Sequence, residues 1–103
     1  MFFDVMFVYK VHTHGSDRLL AIADSALIGN TFSQGDLEIT ISNNFYGSEK
    51  CSAEKALQLS RSATIINAMG NDIVALLAEN NIVDKKNVLI IDKIMHAQVV
   101  TVF

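Results

Sequence analysis

The fold class is decided by one central stretch, residues 52–79, which reads SAEKALQLSRSATIINAMGNDIVALLAE. Ser52 is a good helix cap, and apolar side chains recur after it at steps of three and four, as on the buried face of an amphipathic helix. These apolar positions are Ala56, Leu59, Ala63 and Ile66. We predict that Gly70 ends or kinks this helix and that Asn71 or Asp72 caps a second one. The second helix should bury Ile73, Leu76 and Leu77.

Strands are predicted on both sides of the two helices. Residues 2–11 are almost all apolar or aromatic, a pattern typical of a strand that is covered on both faces and central in its sheet. A turn leads from it to a second apolar run, residues 18–23, and residues 37–41 alternate between apolar and polar side chains. After the helices, residues 88–91 predict a short buried strand and residues 97–103 a last one.

The order of these elements predicts the architecture. Strands and helices are grouped rather than alternating, which favours an α+β fold over a wound parallel sheet. A chain of 103 residues can build one core of ordinary size, so we predict a single domain, residues 1–103. Its sheet should be mostly antiparallel or mixed, with about five strands and the two main helices packed on one face. Structural roles at turns and helix ends are assigned to Gly29, Gly35, Gly47 and Gly70.

Composition narrows the classes of function. The formal net charge is −3 and the sequence pI is about 5.4, which disfavours non-specific binding to nucleic acid, because proteins that bind mainly through phosphate contacts are usually basic. Charged side chains interrupt every apolar run before the ~20 residues that a membrane span needs. The apolar N-terminus lacks the basic start and the cleavage site of a signal peptide. We therefore expect a cytoplasmic protein that does not contact a membrane.

Metal and cofactor motifs are not evident in the sequence. Cys51 is the only cysteine, so the chain has neither an internal disulfide nor a thiolate cluster for zinc. His12 and His14 could chelate a metal if a third ligand approached, but no cysteine or carboxylate cluster accompanies them. The Gly-rich fingerprints of phosphate and dinucleotide binding are missing as well. We expect no metal and no cofactor.

Three segments carry side chains that could form a functional site. His96 and Gln98 should share one face of the last strand, where His96 could act as an acid or base and Gln98 could orient a ligand. Tyr46 could be presented at a surface by a bend at Gly47. Asn67 stands near the end of the predicted first helix, although asparagine is a poor helix former. The structural alternatives are a solvated edge strand, a lid on the core and a helix cap, respectively.

Five motifs of the chain form a recognisable set. They are Leu27-Ile28-Gly29 with Thr31-Phe32, Gly35, Phe45-Tyr46-Gly47, Ala63 through Asn67 to Gly70, and His96-Ala97-Gln98. Together they resemble the archaeal domain-of-unknown-function family four-twenty-four over nearly the whole chain. The resemblance implies a compact α+β protein of an archaeal cytoplasm, and it points towards the translation machinery without bringing an established activity. It also gives weight to Tyr46, Asn67, His96 and Gln98 as functional residues.

Two hypotheses about function follow. The first is a non-enzymatic binding module associated with translation or RNA processing, in which Tyr46 stacks on a protein or ribonucleoprotein partner and His96 with Gln98 hydrogen-bonds it. The second is a small hydrolase or small-ligand-binding protein with a His96-centred pocket, to which Tyr46, Asn67 and Gln98 also contribute. We favour binding over catalysis, and both hypotheses require the four side chains to converge. An exposed apolar strand face would in addition favour a homodimer.

Overall fold

A six-stranded sheet lies at the centre of the molecule, in a computed structural model that describes residues 6–101. Its strands are β1 (Phe7–His14), β2 (Asp17–Asp24), β5 (Glu49–Cys51), β6 (Ile65–Met69), β7 (Leu89–Ile91) and β8 (Ile94–Val100). A separate hairpin consists of β3 (Thr31–Gln34) and β4 (Leu37–Thr40). The helices are α1 (Asn43–Tyr46), α2 (Ala53–Ser62) and α3 (Asn71–Glu79), and short 3-10 turns cover Ser25–Leu27 and Lys85–Asn87.

The strand order across the sheet is β5-β1-β2-β6-β8-β7. The central pair, β2 with β6, is parallel, and the other four neighbouring pairs are antiparallel. The predicted α+β class and the mixed sheet are therefore confirmed, although the number of strands is higher than predicted. Two parts of the predicted strands, residues 2–5 of the first and residues 102–103 of the last, lie outside the described residues.

Two layers cover the sheet and make two parts of the core. We call the side under α2 and α3 the helix face, where Leu20, Ile22 and Ile66 pack with Ile73 and Leu77. We call the other side the hairpin face. There the β3–β4 hairpin and α1 lie over the apolar side chains of Val8, Ala21, Ala23 and Met69. The two main helices thus share one face, as predicted. Side chains alternate along each strand, so the other face of the sheet also carries apolar side chains, and the hairpin with α1 covers them.

The predicted first helix was wrong beyond Ser62. α2 begins after the Ser52 cap, whose side chain accepts a hydrogen bond from the backbone N–H of Lys55, but residues 65–69 form β6. Thr64, Ile65 and Ile66 are three successive β-branched residues, and such side chains fit a strand better than a helix. α3 follows as predicted. Within residues 6–101, no helix has the length and apolar character to cross a bilayer.

Other differences concern single elements. β1 is the second strand from one edge rather than a central one, and β7, predicted as buried, forms the opposite edge. The β3 and β5 strands were not predicted. The aromatic pair before Gly47, predicted in a loop, belongs to the helical turn α1, whose cap is the hydroxyl of Ser42. β8 begins at Ile94, three residues before the predicted start, because a tight turn joins it directly to β7.

The start of α3 is held by a side chain from another strand. Gly70, at the end of β6, has no side chain to cap the helix, and the Asp24 carboxylate at the end of β2 takes this role. Its oxygens accept hydrogen bonds from the backbone N–H of Asp72 at 3.0 Å and of Ile73 at 2.9 Å. A carboxylate at a helix N-terminus is favoured by the helix dipole. The parallel strand pair β2–β6 is therefore tied to the helix layer at this end.

Burial raises the pKa of the Asp24 carboxyl, and the neighbouring Asp72 charge adds to this, against the two backbone hydrogen bonds, which lower it. The folded protein then keeps the Asp24 proton to higher pH than the unfolded chain. The contribution of this group to stability therefore falls as pH rises through the interval above its ordinary pKa. We expect the stability of the wild type relative to Asp24→Asn to increase as pH is lowered from 7 to about 4, measured by urea unfolding. A difference that is constant with pH would contradict this.

Candidate functional site

All four predicted site residues belong to the hairpin face. Asn67 on β6 lies directly opposite Gln98 on β8, and Met69, two residues along, lies opposite His96. On its other side Asn67 is opposite Ala21 of β2, which is fully buried. Residues opposite one another across a ladder project to the same side of the sheet, so the three polar side chains stand in two adjacent rows. Asn67 is thus in the middle of a central strand and not at a helix end.

Tyr46 reaches this group from the covering layer. α1 places its phenol over the sheet, where the hydroxyl donates a hydrogen bond of 2.8 Å to Oδ1 of Asn67. Only 6% of Tyr46 is exposed, and burial raises the pKa of its hydroxyl to about 12. The Tyr46 ring therefore belongs to the core and does not stand at the surface for stacking, contrary to the bend proposed from Gly47. Its role is to hold the Asn67 amide in one orientation.

The α1 turn is fixed by several independent contacts. The phenol ring of Tyr46 meets the Phe45 ring edge-on, with centroids 4.9 Å apart. The imidazole of His12 on β1 stacks on the Phe45 ring with centroids 5.1 Å apart, and its Nε2 is 2.8 Å from the carbonyl oxygen of Phe45. Gly47 passes so close to β1 that a Cβ there would overlap the Tyr9 carbonyl. These contacts fix the position from which Tyr46 reaches Asn67.

One member of the histidine pair considered for metal binding, His12, has a structural explanation. His12 is engaged with the α1 turn through its Nε2 atom, as described above. Across residues 6–101, no three side chains of histidine, cysteine, aspartate or glutamate are grouped in a way that could hold a metal ion. Cys51 is buried, and burial raises the pKa of its thiol, which keeps the thiol protonated at neutral pH.

His96 is held in a defined orientation. Its Nδ1 lies 3.0 Å from the carbonyl oxygen of Ala68, and a carbonyl can only accept, so Nδ1 carries the proton of this hydrogen bond. In the neutral ring the other nitrogen, Nε2, is then a hydrogen-bond acceptor. The His96 side chain is half-buried and Gln98 is exposed. The edge of the hairpin face therefore presents an acceptor and an amide at the surface.

Two apolar side chains flank these polar groups. Leu89 on β7 lies directly opposite His96, and Val100 follows Gln98 on the same side of β8; each is 61% exposed. We call the surface formed by Asn67, His96, Gln98, Leu89 and Val100 the open patch. Leu89 was missed at the sequence level, because residues 88–91 read as a continuous buried run and only the edge position of β7 exposes its side chain.

The structure therefore brings the four predicted residues together on one face but in different roles. Tyr46 contacts Asn67 from below the surface, whereas Asn67, His96 and Gln98 reach the open patch. Asn67 Nδ2 and the Gln98 amide have no hydrogen-bond partner among residues 6–101. Side-chain amides can donate and accept at once, which suits them to backbone groups of a partner. The polar side chains of the open patch can therefore bind a partner by hydrogen bonds. None of the five residues of the open patch carries a fixed charge.

Comparisons with known proteins give a family and a fold. A family model described as "Protein of unknown function (DUF424)" matches residues 11–102. Among solved structures, the crystal structure of an uncharacterized conserved protein from Methanopyrus kandleri is similar, with a TM-score of 0.80 and 16% identity over 95% of each chain. At this identity the likeness concerns the fold alone. No curated protein matches the chain.

Proposed function

The chain belongs to the DUF424 family, whose function is unknown, and we propose that it is a non-enzymatic binding module whose contact surface is the open patch. One observation carries the proposal: three polar side chains, of which Asn67 and His96 are oriented by hydrogen bonds, stand between two large exposed apolar ones on an uncovered part of the sheet. Apolar area supplies affinity, and fixed polar groups supply orientation and specificity. The contact between Tyr46 and Asn67 supports it, because it orders one polar group in advance of binding.

The chemistry of the open patch favours a protein surface as the partner. Its five side chains are uncharged when His96 is neutral, whereas contacts to a phosphate backbone call for lysine and arginine. The acidic balance of the whole chain argues in the same direction. Within the cytoplasm, we take the partner to be a protein, or the protein part of a ribonucleoprotein, of the translation or RNA-processing machinery. The family resemblance noted from the sequence motifs is what supports this class of partner.

The alternative of a small hydrolase or small-ligand-binding protein has less support. A His96-centred pocket would use Tyr46 and Asn67 as reacting or binding groups. The Tyr46 hydroxyl donates its proton to the hydrogen bond with Asn67, and with a pKa of about 12 it stays un-ionised near neutral pH, so it is not a base there. His96 Nε2 remains as an acceptor, but a hydrogen-bond acceptor serves binding equally well.

The proposal is tested by capture of partners from an extract of the source cells. We expect immobilised wild type to retain specific components of the translation or RNA-processing machinery. The double variant His96→Ala with Gln98→Ala should retain about tenfold less of the same components, because truncating central contact residues commonly removes this much affinity. Quantitative mass spectrometry of the bound fraction measures the ratio.

A matched control comes from the opposite edge of the sheet. Glu49 and Lys50 on β5 are exposed like the open patch and lie on an edge strand. The variant with both residues changed to alanine should bind as the wild type does. Equal retention by the His96→Ala, Gln98→Ala variant and the wild type would contradict the proposed contact surface.

A further inference from the structure

The two edges of the six-stranded sheet are built differently. At one edge, β5 exposes the charged residues Glu49 and Lys50, and charges of this kind keep an edge strand from pairing with another chain. At the other edge, β7 exposes Leu89 and Ile90 to 61% and 60%. These two side chains are neighbours and therefore lie on opposite sides of the sheet. The β7 strand itself therefore lacks the exposed charged side chains that protect the β5 edge from pairing with another chain.

The backbone at the β7 edge is also available for pairing. Asp92 and Lys93 form a two-residue turn with φ of 49° and 69°, and this turn joins Ile91 to Ile94 directly. In such a hairpin the pair next to the turn exchanges both backbone hydrogen bonds, and the bonding alternates along the strand. The N–H and C=O of Ile90 therefore point away from β8. Within residues 6–101, no strand pairs with this outer side.

An apolar groove continues the surface on the helix face. It lies between α3 and β7, has a volume of about 400 Å³, and includes Val74, Ala78, Val88, Ile90 and Met95 in its lining. Glu79 and Lys85 are its charged members. A strand added to β7 would bring its own side chains over this groove, because residues directly opposite in a ladder share a side of the sheet.

We propose that a second copy of this chain pairs with β7 in antiparallel orientation, about a two-fold axis that places Ile90 opposite Ile90 of the copy. The two residues would exchange their free N–H and C=O groups, and Leu89 would lie opposite Ile91. The Ile90 side chain of each copy extends the apolar lining of the other's groove. The contact is isologous and closes with two chains.

The charges around the strand favour a copy in this orientation. Asp84-Lys85-Lys86 precede β7 and Asp92-Lys93 follow it. In the antiparallel arrangement, Asp92 of one chain lies opposite Val88 of the copy and diagonal to Lys86 of the copy, which has the opposite charge. Lys93 lies opposite the uncharged Asn87 of the copy. A parallel arrangement would set Lys85 and Lys86 against the same two lysines. β7 is therefore complementary to itself in the antiparallel direction.

The mass of the protein in solution tests the proposal. Sedimentation equilibrium should give twice 11.3 kDa for the wild type and the single-chain mass for Ile90→Lys, because lysine at an edge position opposes pairing. Met6→Lys is the matched control: Met6 is also an exposed apolar residue, 41% exposed, it precedes β1 on the other side of the sheet from β7, and this variant should remain a dimer. A wild type with the single-chain mass at all concentrations, or a dimeric Ile90→Lys, would overturn the proposal.

A second pair of variants tests the orientation without changing the apolar strand. Lys86→Asp and Asp92→Lys each create like charges across the proposed axis, so each alone should raise the dimer dissociation constant. An equimolar mixture restores opposite charges in both diagonal pairs and should recover wild-type affinity in a heterodimer. No recovery in the mixture would overturn the antiparallel register, including in the case that Ile90→Lys fails to fold.

Discussion

Gly70→Ala is expected to destabilise the protein by about 4 kcal/mol, a large part of the 5–15 kcal/mol that holds a typical domain folded. Gly70 has φ 131° and ψ 150°, a conformation that is essentially restricted to glycine and costs about 1–3 kcal/mol for other residues. A Cβ at this position would also overlap the carboxyl group of Asp24. Moving that carboxylate breaks the hydrogen bonds to Asp72 and Ile73 and adds the loss of a helix cap, about 1 kcal/mol or more.

Gly35→Ala separates these two causes. Gly35 also has positive φ, at 62°, but a Cβ there meets nothing within 4 Å. We expect a loss of about 1–2 kcal/mol from the left-handed backbone alone. Urea unfolding of both variants, followed by circular dichroism, measures the difference. Equal losses at the two glycines would mean that the Asp24 contact does not hold the start of α3.

Tyr46→Ala is expected to cost about 3 kcal/mol, because it empties a buried aromatic position between the covering layer of the hairpin face and the sheet. The ring packs on the sheet beside Phe45, and its hydroxyl satisfies Asn67. Tyr46→Phe keeps the ring and removes only the hydrogen bond, so its expected cost is about 1 kcal/mol.

A double-mutant cycle isolates the hydrogen bond between Tyr46 and Asn67. Tyr46→Phe and Asn67→Ala, measured singly and together by urea unfolding, should show a coupling free energy of about 1 kcal/mol. Strictly additive losses would mean that the 2.8 Å contact contributes nothing to stability. The cycle also bears on the open patch, because Asn67 belongs both to this hydrogen bond and to the open patch.

The sequence was sufficient for the parts of the fold that local patterns govern. Ser52 and the spacing after it located α2, and the apolar run after Gly70 located α3. The pattern failed between residues 63 and 69, where Ala63 and Ile66 fit a helix and a buried strand equally well. The decision belongs to tertiary structure, because β6 is stabilised by β2 and β8, which are remote in the chain.

The sequence indicated which polar residues belong to the candidate site, but not how they are arranged. His96 and Gln98 stood out because polar residues at spacing two on an apolar strand share a face, and this is a local property. The hydrogen bond from Tyr46 to Asn67 joins a one-turn helix to a strand that was predicted as helix, so no local pattern could indicate it. The exposure of Leu89 likewise depends on the order of strands, which hydrophobic periodicity does not encode.

The parallel pairing at the centre of the sheet has a consequence for biosynthesis. β6 has one neighbour, β2, that is synthesised well before it and another, β8, that is synthesised after it. The early hairpin of β1 and β2 can form as the chain emerges, but the sheet cannot be completed until residues up to Val100 have left the ribosomal exit tunnel. Until then, the side of β6 that pairs with β8 in the finished fold has no strand partner.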